Sequence, residues 1–144
     1  MKTYSAKPSD VTRQWYLLDA KELPLGRLST IASAILTGKE KTIFTKHIDC
    51  GDYLIVINSD QLIVTGQKEI TKKYYHHSHF PGGLKEISLA DQRSKDSTKI
   101  VEHSIRGMLP VNKLRDQRMK RLRVFPDSNH DHQAQNPIII LKKV

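Results

Sequence analysis

The apolar positions of this chain change their spacing from one segment to the next, and each spacing predicts a different element. "WYLLDA", Trp15–Ala20, is aromatic and aliphatic until Asp19 leaves the core, and reads as a strand. Pro24 then opens a helix, where its missing N–H leaves no bond unmade. In "LGRLSTIASAILTG" the apolar residues Leu25, Leu28, Ile31, Ala32, Ile35 and Leu36 form one stripe at helical spacing, and Gly38 stands where a left-handed cap ends a helix. A polar, basic connector follows, Lys39–Asp52. "YLIVI", Tyr53–Ile57, is apolar without alternation, the pattern of a strand covered on both faces. "LIVTG", Leu62–Gly66, is a second apolar run only four residues on, too close for a parallel crossover. If both are strands they are antiparallel neighbours or one kinked path, which predicts a mixed sheet.

The C-terminal half is more polar. "SLAD", Ser88–Asp91, is a weak capping box for a short helix. "IVEHSIRGML" carries Ile100, Val101, Ile105 and Met108 on one helical face, and Pro110 ends that helix by restricting Leu109. "VNKLRDQRMKRL" predicts a further helix with a sparse apolar set, Leu114, Met119 and Leu122, and "RVF" a last strand. The tail is polar, then apolar, then basic. There is no repeat, no low-complexity block and no interdomain linker. The 144 residues form one ordinary domain with room for a real core, an arm at about residues 1–14 and a tail at about 126–144.

Charge changes the picture most. The chain carries a formal +9 and a pI near 9.7, which calls for a polyanionic partner: nucleic acid first, an anionic membrane surface second. Between Arg106 and Arg123 seven basic residues (Arg106, Lys113, Arg115, Arg118, Lys120, Arg121, Arg123) face one acid, Asp116, so an eighth of the chain holds two thirds of the excess. A solvated helical face normally mixes signs. No apolar run reaches the ~20 residues that span a bilayer, and the first residues lack the apolar segment of a secretory signal. A single cysteine, Cys50, allows neither an internal disulfide nor a four-cysteine zinc cage and suits a reducing cytosol.

"YYHHSHFPGG", Tyr74–Gly83, gathers three of the seven histidines, two tyrosines and a phenylalanine. A metal site would use His77 and His79, with His130 and His132 of "NHDH" as a second pair. Adjacent strand residues such as His76 and His77 point to opposite faces, and nothing in the sequence brings the two pairs together. A nucleophile at Cys50, near His47 and Asp49, is the second reading, although triads seldom come from sequence neighbours. There is no phosphate-binding glycine loop; "PGG" is a turn whose Gly82 and Gly83 permit positive φ. The third reading is RNA. Tyr74, Tyr75 and Phe80 offer flat faces for unpaired bases, histidine rings stack and hydrogen-bond, and Lys72 and Lys73 add charge. One of the two tyrosines is expected to be partly core. These contacts favour an irregular folded RNA.

Taken in order, "WYLLDAKELPLGRLST", "HIDCGDYLIVINSDQLIVTG", "KKYYHHSHFPGGLK", "IRGMLPVNKLRDQRMKRLRVF" and "NHDHQAQNP" resemble the universal large-subunit ribosomal protein of the thirteenth family, in its bacterial form, from Lys2 to about Pro137. The resemblance implies an α/β domain whose central, mixed but mostly parallel sheet is flanked by helices, with extended terminal segments. It implies a cytoplasmic, ribosome-bound component of the large subunit that binds 23S-type rRNA early in assembly and touches neighbouring ribosomal proteins. No enzymatic activity, cofactor, metal, membrane or small-molecule substrate is expected. By position, the RNA-facing residues it implies are the Tyr74–Gly83 loop, the run Lys113–Arg123, and Lys39, Lys41, Lys46 and His47; Lys72, Lys73, Arg106, His130 and His132 complete the candidate set. The chain departs from the family pattern at His76, where arginine is usual, at His79 and Arg115, where glycine is usual, and in its end "IIILKKV". A metal-dependent hydrolase and a free RNA-binding regulator are the rival readings.

Overall fold

A computed structural model describes residues 4–140. Six strands and five helices follow in the order β1 (Trp15–Asp19), α1 (Leu25–Thr37), β2 (Tyr53–Ile57), α2 (Lys68–Thr71), β3 (Lys73–His77), β4 (Leu84–Ser88), α3 (Leu89–Lys95), α4 (Thr98–Met108), α5 (Arg115–Met119), β5 (Leu122–Val124) and β6 (Ile138–Ile139). One sheet has the order β5-β2-β1-β6 and is parallel throughout. The antiparallel pairing lies apart from it, in the β3–β4 hairpin. The fold is therefore α/β, as expected, with strand pairing that is mostly parallel across its two sheets.

The unbroken apolar run of β2 follows from its central place, with β1 on one side and β5 on the other; Leu54, Ile55 and Val56 are fully buried. On one face Leu18, Leu54 and Val56 join the α1 stripe (Leu25, Leu28, Ala32, Ile35, Leu36) and the α4 stripe (Ile100, Val101, Ile105) in one core. Ser29 of α1 and Ser104 of α4 hydrogen-bond across that pair at 2.8 Å. Alternation turns Trp15 and Tyr53 to the other face, where their rings stack at 4.3 Å. Part of the tail lies over them, with His132 5.0 Å from Trp15.

The predicted boundaries hold where local chemistry decides them. Gly38 adopts φ +75° and its N–H caps the Ala34 and Ile35 carbonyls. Ser88 Oγ accepts the Asp91 N–H at the start of α3. Leu109, before Pro110, leaves α4 in extended geometry.

Two expectations fail for tertiary reasons. Leu62–Gly66 is not a strand: it makes only an isolated parallel bridge, between Ile63 and Pro24, outside the sheet. Both edges of β2 are already occupied, and Asn58, at φ +60°, turns the chain away. The helix expected over Val111–Leu122 keeps only its five central residues, because Leu122 is drawn into the sheet beside Leu54. The apolar start of the tail end, Ile138–Ile139, adds a short parallel strand to β1; residues 141–144 of "IIILKKV" lie outside the described residues.

Candidate nucleic-acid interface

The histidine-rich stretch is a hairpin. β3 pairs with β4 in the register Tyr74↔Ile87, Tyr75↔Glu86, His76↔Lys85 and His77↔Leu84. Its turn is closed by the Ser78 N–H to the Gly83 carbonyl (3.0 Å) and the Gly83 N–H to the Phe80 carbonyl (2.9 Å). His79, the residue standing where the family has glycine, sits at φ +66°. It thus keeps the left-handed backbone that glycine adopts freely, at a steric cost. The His79 N–H donates to His77 Nδ1 at 2.9 Å, which offsets part of that cost and leaves Nε2 of a neutral His77 as its donor. Gly83 is required for space: a Cβ there would fall on Ser78 Oγ and the Phe80 carbonyl.

Strand alternation separates the two tyrosines. Tyr74 turns inward, edge-on to His103 of α4 at 5.1 Å, and packs against the core. Burial raises the pKa of its phenol, whose oxygen has no hydrogen-bond partner among the described residues. Tyr75 is 63% exposed and Phe80 75%. His76, His77 and His79 are exposed as well. Lys73 pairs with Glu86 at 3.0 Å, both of them solvated, and the Lys72 ammonium lies 5.4 Å from the Tyr74 ring. Lys85, opposite His76, adds an exposed cation that the sequence reading missed, because "LKEIS" has no apolar alternation to mark it as a strand.

The basic run divides. Arg106, Lys113, Lys120 and Arg123 are exposed and Arg115 is half-buried; Arg106 holds Asp116 loosely at 3.3 Å. Arg118 and Arg121 do not stand on the surface with the rest of the run: they are only 1% and 7% exposed. Arg121 forks onto Asp49: its Nη1 bonds Oδ2 and its Nη2 bonds Oδ1 at 2.7 Å. The same Nη2 donates to the Leu36 carbonyl (3.1 Å) at the end of α1, and Nε to the Asp52 carbonyl (3.3 Å). Arg118 Nε lies 3.5 Å from Asp49. Burial alone would raise the Asp49 carboxyl. The hydrogen bond and charge of Arg121, helped by Arg118 and the Gly51 N–H, outweigh it and hold its pKa below the usual carboxylate range.

Lys41 is a third cation of the candidate set that is turned inward. Its ammonium is tied to Asp52 Oδ1 (2.6 Å) and the Thr12 carbonyl (2.7 Å), beneath the connector rather than on it. The cause is common to all three. The carboxylates of the two acids of "HIDCGD" are largely withdrawn from solvent, with side chains 9% and 5% exposed, and a charge so placed requires a paired one. Gly51 lets the connector approach that closely, since a Cβ there would meet the Leu36 carbonyl. Cys50 is fully buried against it, the packing role rather than the nucleophilic one.

Lys39, Lys46 and His47 are exposed on the connector. His130 and His132 are half-buried, with rings 6.2 and 6.0 Å from Phe125, so they close the second face of the sheet. Among the described residues no three His, Cys, Asp or Glu side chains converge on a common point. No helix among the described residues is long and apolar enough to cross a membrane.

Residues 13–131 match the model of the family described as ribosomal protein L13. The large ribosomal subunit protein uL13 of Clostridioides difficile is 47% identical over 140 residues, covering 97% of this chain and 98% of its own length. Its namesakes are 47% identical in Halorhodospira halophila (95% and 96% covered) and 48% in Ligilactobacillus salivarius (96% and 94%). With the hairpin, the connector and the basic run all inside the matched region, the chain belongs to the ribosomal protein L13 family, in its bacterial form.

Proposed function

We propose that this chain is a structural constituent of the large ribosomal subunit that binds 23S-type rRNA, supports early subunit assembly and is bounded by neighbouring ribosomal proteins in the cytoplasmic particle. Membership of a ribosomal protein family makes it a structural ribosomal component and not an enzyme. The observation that carries the RNA reading is the hairpin: Tyr75 and Phe80 stand exposed beside solvated histidines and Lys85, on a scaffold whose own core does not use them. Exposed aromatic rings next to cations suit unpaired bases and their phosphates. Lys113, Lys120, Arg123, Lys39 and Lys46 extend the cationic surface, and each phosphate they neutralise releases condensed counterions.

Phe80→Ala tests the reading. Phe80 is not part of the core, so thermal stability is expected to hold. Affinity for deproteinised large-subunit rRNA should fall by roughly 5- to 150-fold, the equivalent of ~1–3 kcal/mol per stacked base. Unchanged affinity in Phe80→Ala and in Tyr75→Ala would remove the hairpin from the interface. Sedimentation of cell extracts separates a ribosomal component from a free regulator: the protein is expected to travel with large subunits, and its confinement to ribosome-free fractions would overturn the proposal.

A further inference from the structure

Beside the buried arginine cluster lies a cavity of about 400 Å³, inside the ~300–1,000 Å³ range of small-ligand sites. It opens between the end of α1, the connector and the end of α4. Phe44, Met108 and Pro110 give it an apolar side; Lys39, Lys46 and Arg118 give it a cationic one. Three features set it apart from an ordinary surface dent. First, Arg118 is almost wholly buried, yet its Nε and Nη1 have no hydrogen-bond partner among the described residues. Second, the negative charge beneath it is over-subscribed: Asp49 is already forked by Arg121 and has Arg13 at 3.9 Å, so Arg118 reaches it only at 3.5 Å. Third, Met108 belongs to the apolar pattern of α4 but is 43% exposed, because it faces this cavity instead of the core. A buried guanidinium short of acceptors calls for an anion. An aromatic ring and a thioether call for a flat, polarisable partner.

We propose that this pocket receives one unstacked nucleotide of the bound RNA, its base against Phe44, Met108 and Pro110 and its phosphate held by Lys39, Lys46 and Arg118. The inference rests on the RNA-binding reading above and adds a second contact of a different kind. The hairpin offers open stacking faces, whereas the pocket captures a single nucleotide together with its phosphate. Lys39 and Lys46 suit the task because their ammonium groups have no side-chain partner among the described residues, in contrast to Lys41.

Photo-crosslinking from two positions tests the proposal in assembled large subunits, with p-benzoylphenylalanine replacing Phe44 in one variant and Phe80 in another. Both probes are expected to join rRNA, at separate tracts, the position-44 probe at one or two adjacent nucleotides. If position 80 joins rRNA while position 44 joins only protein, the pocket is a protein contact and the proposal fails with the RNA reading intact. If neither joins rRNA, the RNA reading fails as well. Because Phe44 is half-buried, a fold-neutral variant runs in parallel. Lys39→Met/Lys46→Met is expected to keep the wild-type unfolding midpoint while the salt slope of log affinity for deproteinised large-subunit rRNA falls by about 1.4–1.8. An unchanged slope would overturn the proposal.

Discussion

Replacing Arg121 by methionine separates the two roles a basic residue in this run can have. Methionine keeps much of the buried volume but removes every donor. Lost with them are the fork on Asp49 and the bonds to the Leu36 and Asp52 carbonyls. Breaking a buried ion pair from one side costs about 3–5 kcal/mol, chiefly because the other charge stays buried. Arg118 at 3.5 Å and Arg13 at 3.9 Å still neutralise part of Asp49, which places this case near the lower end. A loss of ~3 kcal/mol is a large fraction of the 5–15 kcal/mol that holds a typical domain together. At this chain length it lowers Tm by about 10 °C. In urea, with m of ~2 kcal/mol/M, it moves the midpoint down by 1–2 M.

Trp15 is the only tryptophan, and its stacking on Tyr53 makes its fluorescence a reporter of the sheet. Asp49→Asn in the same background closes a double-mutant cycle. With the carboxylate already neutral, Arg121→Met should cost at least ~1 kcal/mol less than it does alone. The reasoning is refuted if Arg121→Met leaves the midpoint in place and weakens only RNA binding. Additivity of the two substitutions would likewise show that the Asp49 pair is not what buries Arg121.

Three further outcomes follow from the same geometry. The Asp49 carboxyl titrates lower in the folded chain than its unfolded value of ~3.9; its stabilisation is therefore full above that value and is lost as pH falls through the folded one, so Asp49→Asn should flatten the acid limb of a stability–pH curve measured from pH 6 down. His79→Gly should relieve strain and His79→Val add to it, by about 1–2 kcal/mol per residue forced into the left-handed region; hydrogen exchange of the β3–β4 amides, which can open without global unfolding, reads both. Neutralising the exposed Lys113, Lys120 and Arg123 to glutamine should leave the unfolding midpoint unchanged and reduce the salt slope of rRNA binding by up to about 2.1–2.7; an unaltered slope would mean that this part of the run faces away from RNA.

What the sequence makes legible is whatever is decided within a few residues. The α1 stripe, the Gly38 cap, the Ser88 cap and the stop at Pro110 each depend on neighbours less than two turns away. The unalternating β2 run is legible for a related reason, since a strand covered on both faces has no polar positions to show. The hairpin was half legible: the Tyr74–Tyr75 split follows from strand period, whereas β4 has exposed residues on both of its faces and gives no apolar signal. Leu62–Gly66 misleads because apolar content cannot tell a segment with a free sheet edge from one that finds the edges taken.

Arg118 and Arg121 show where reading by charge count stops. In the sequence they are indistinguishable from Lys120 and Arg123, the residues beside and between them. Their fate is set by Asp49, some seventy positions earlier, which the net charge records merely as a subtraction. A basic run therefore has two populations. One is exposed and contributes to binding through counterion release; the other is buried and fixes the connector, α1 and the sheet in place. The second enables the first: Lys39 and Lys46 lie on a connector that the pairs on Asp49 and Asp52 help to hold against the core. The two populations should answer differently to salt. Exposed contacts are screened within ~10 Å at 0.1 M, while pairs removed from solvent are screened far less. Raising the salt should thus release RNA long before it loosens the protein. If the unfolding midpoint falls in step with RNA affinity between 0.05 and 0.5 M salt, the buried cluster is not insulated from solvent, and the division between binding and bracing residues does not hold.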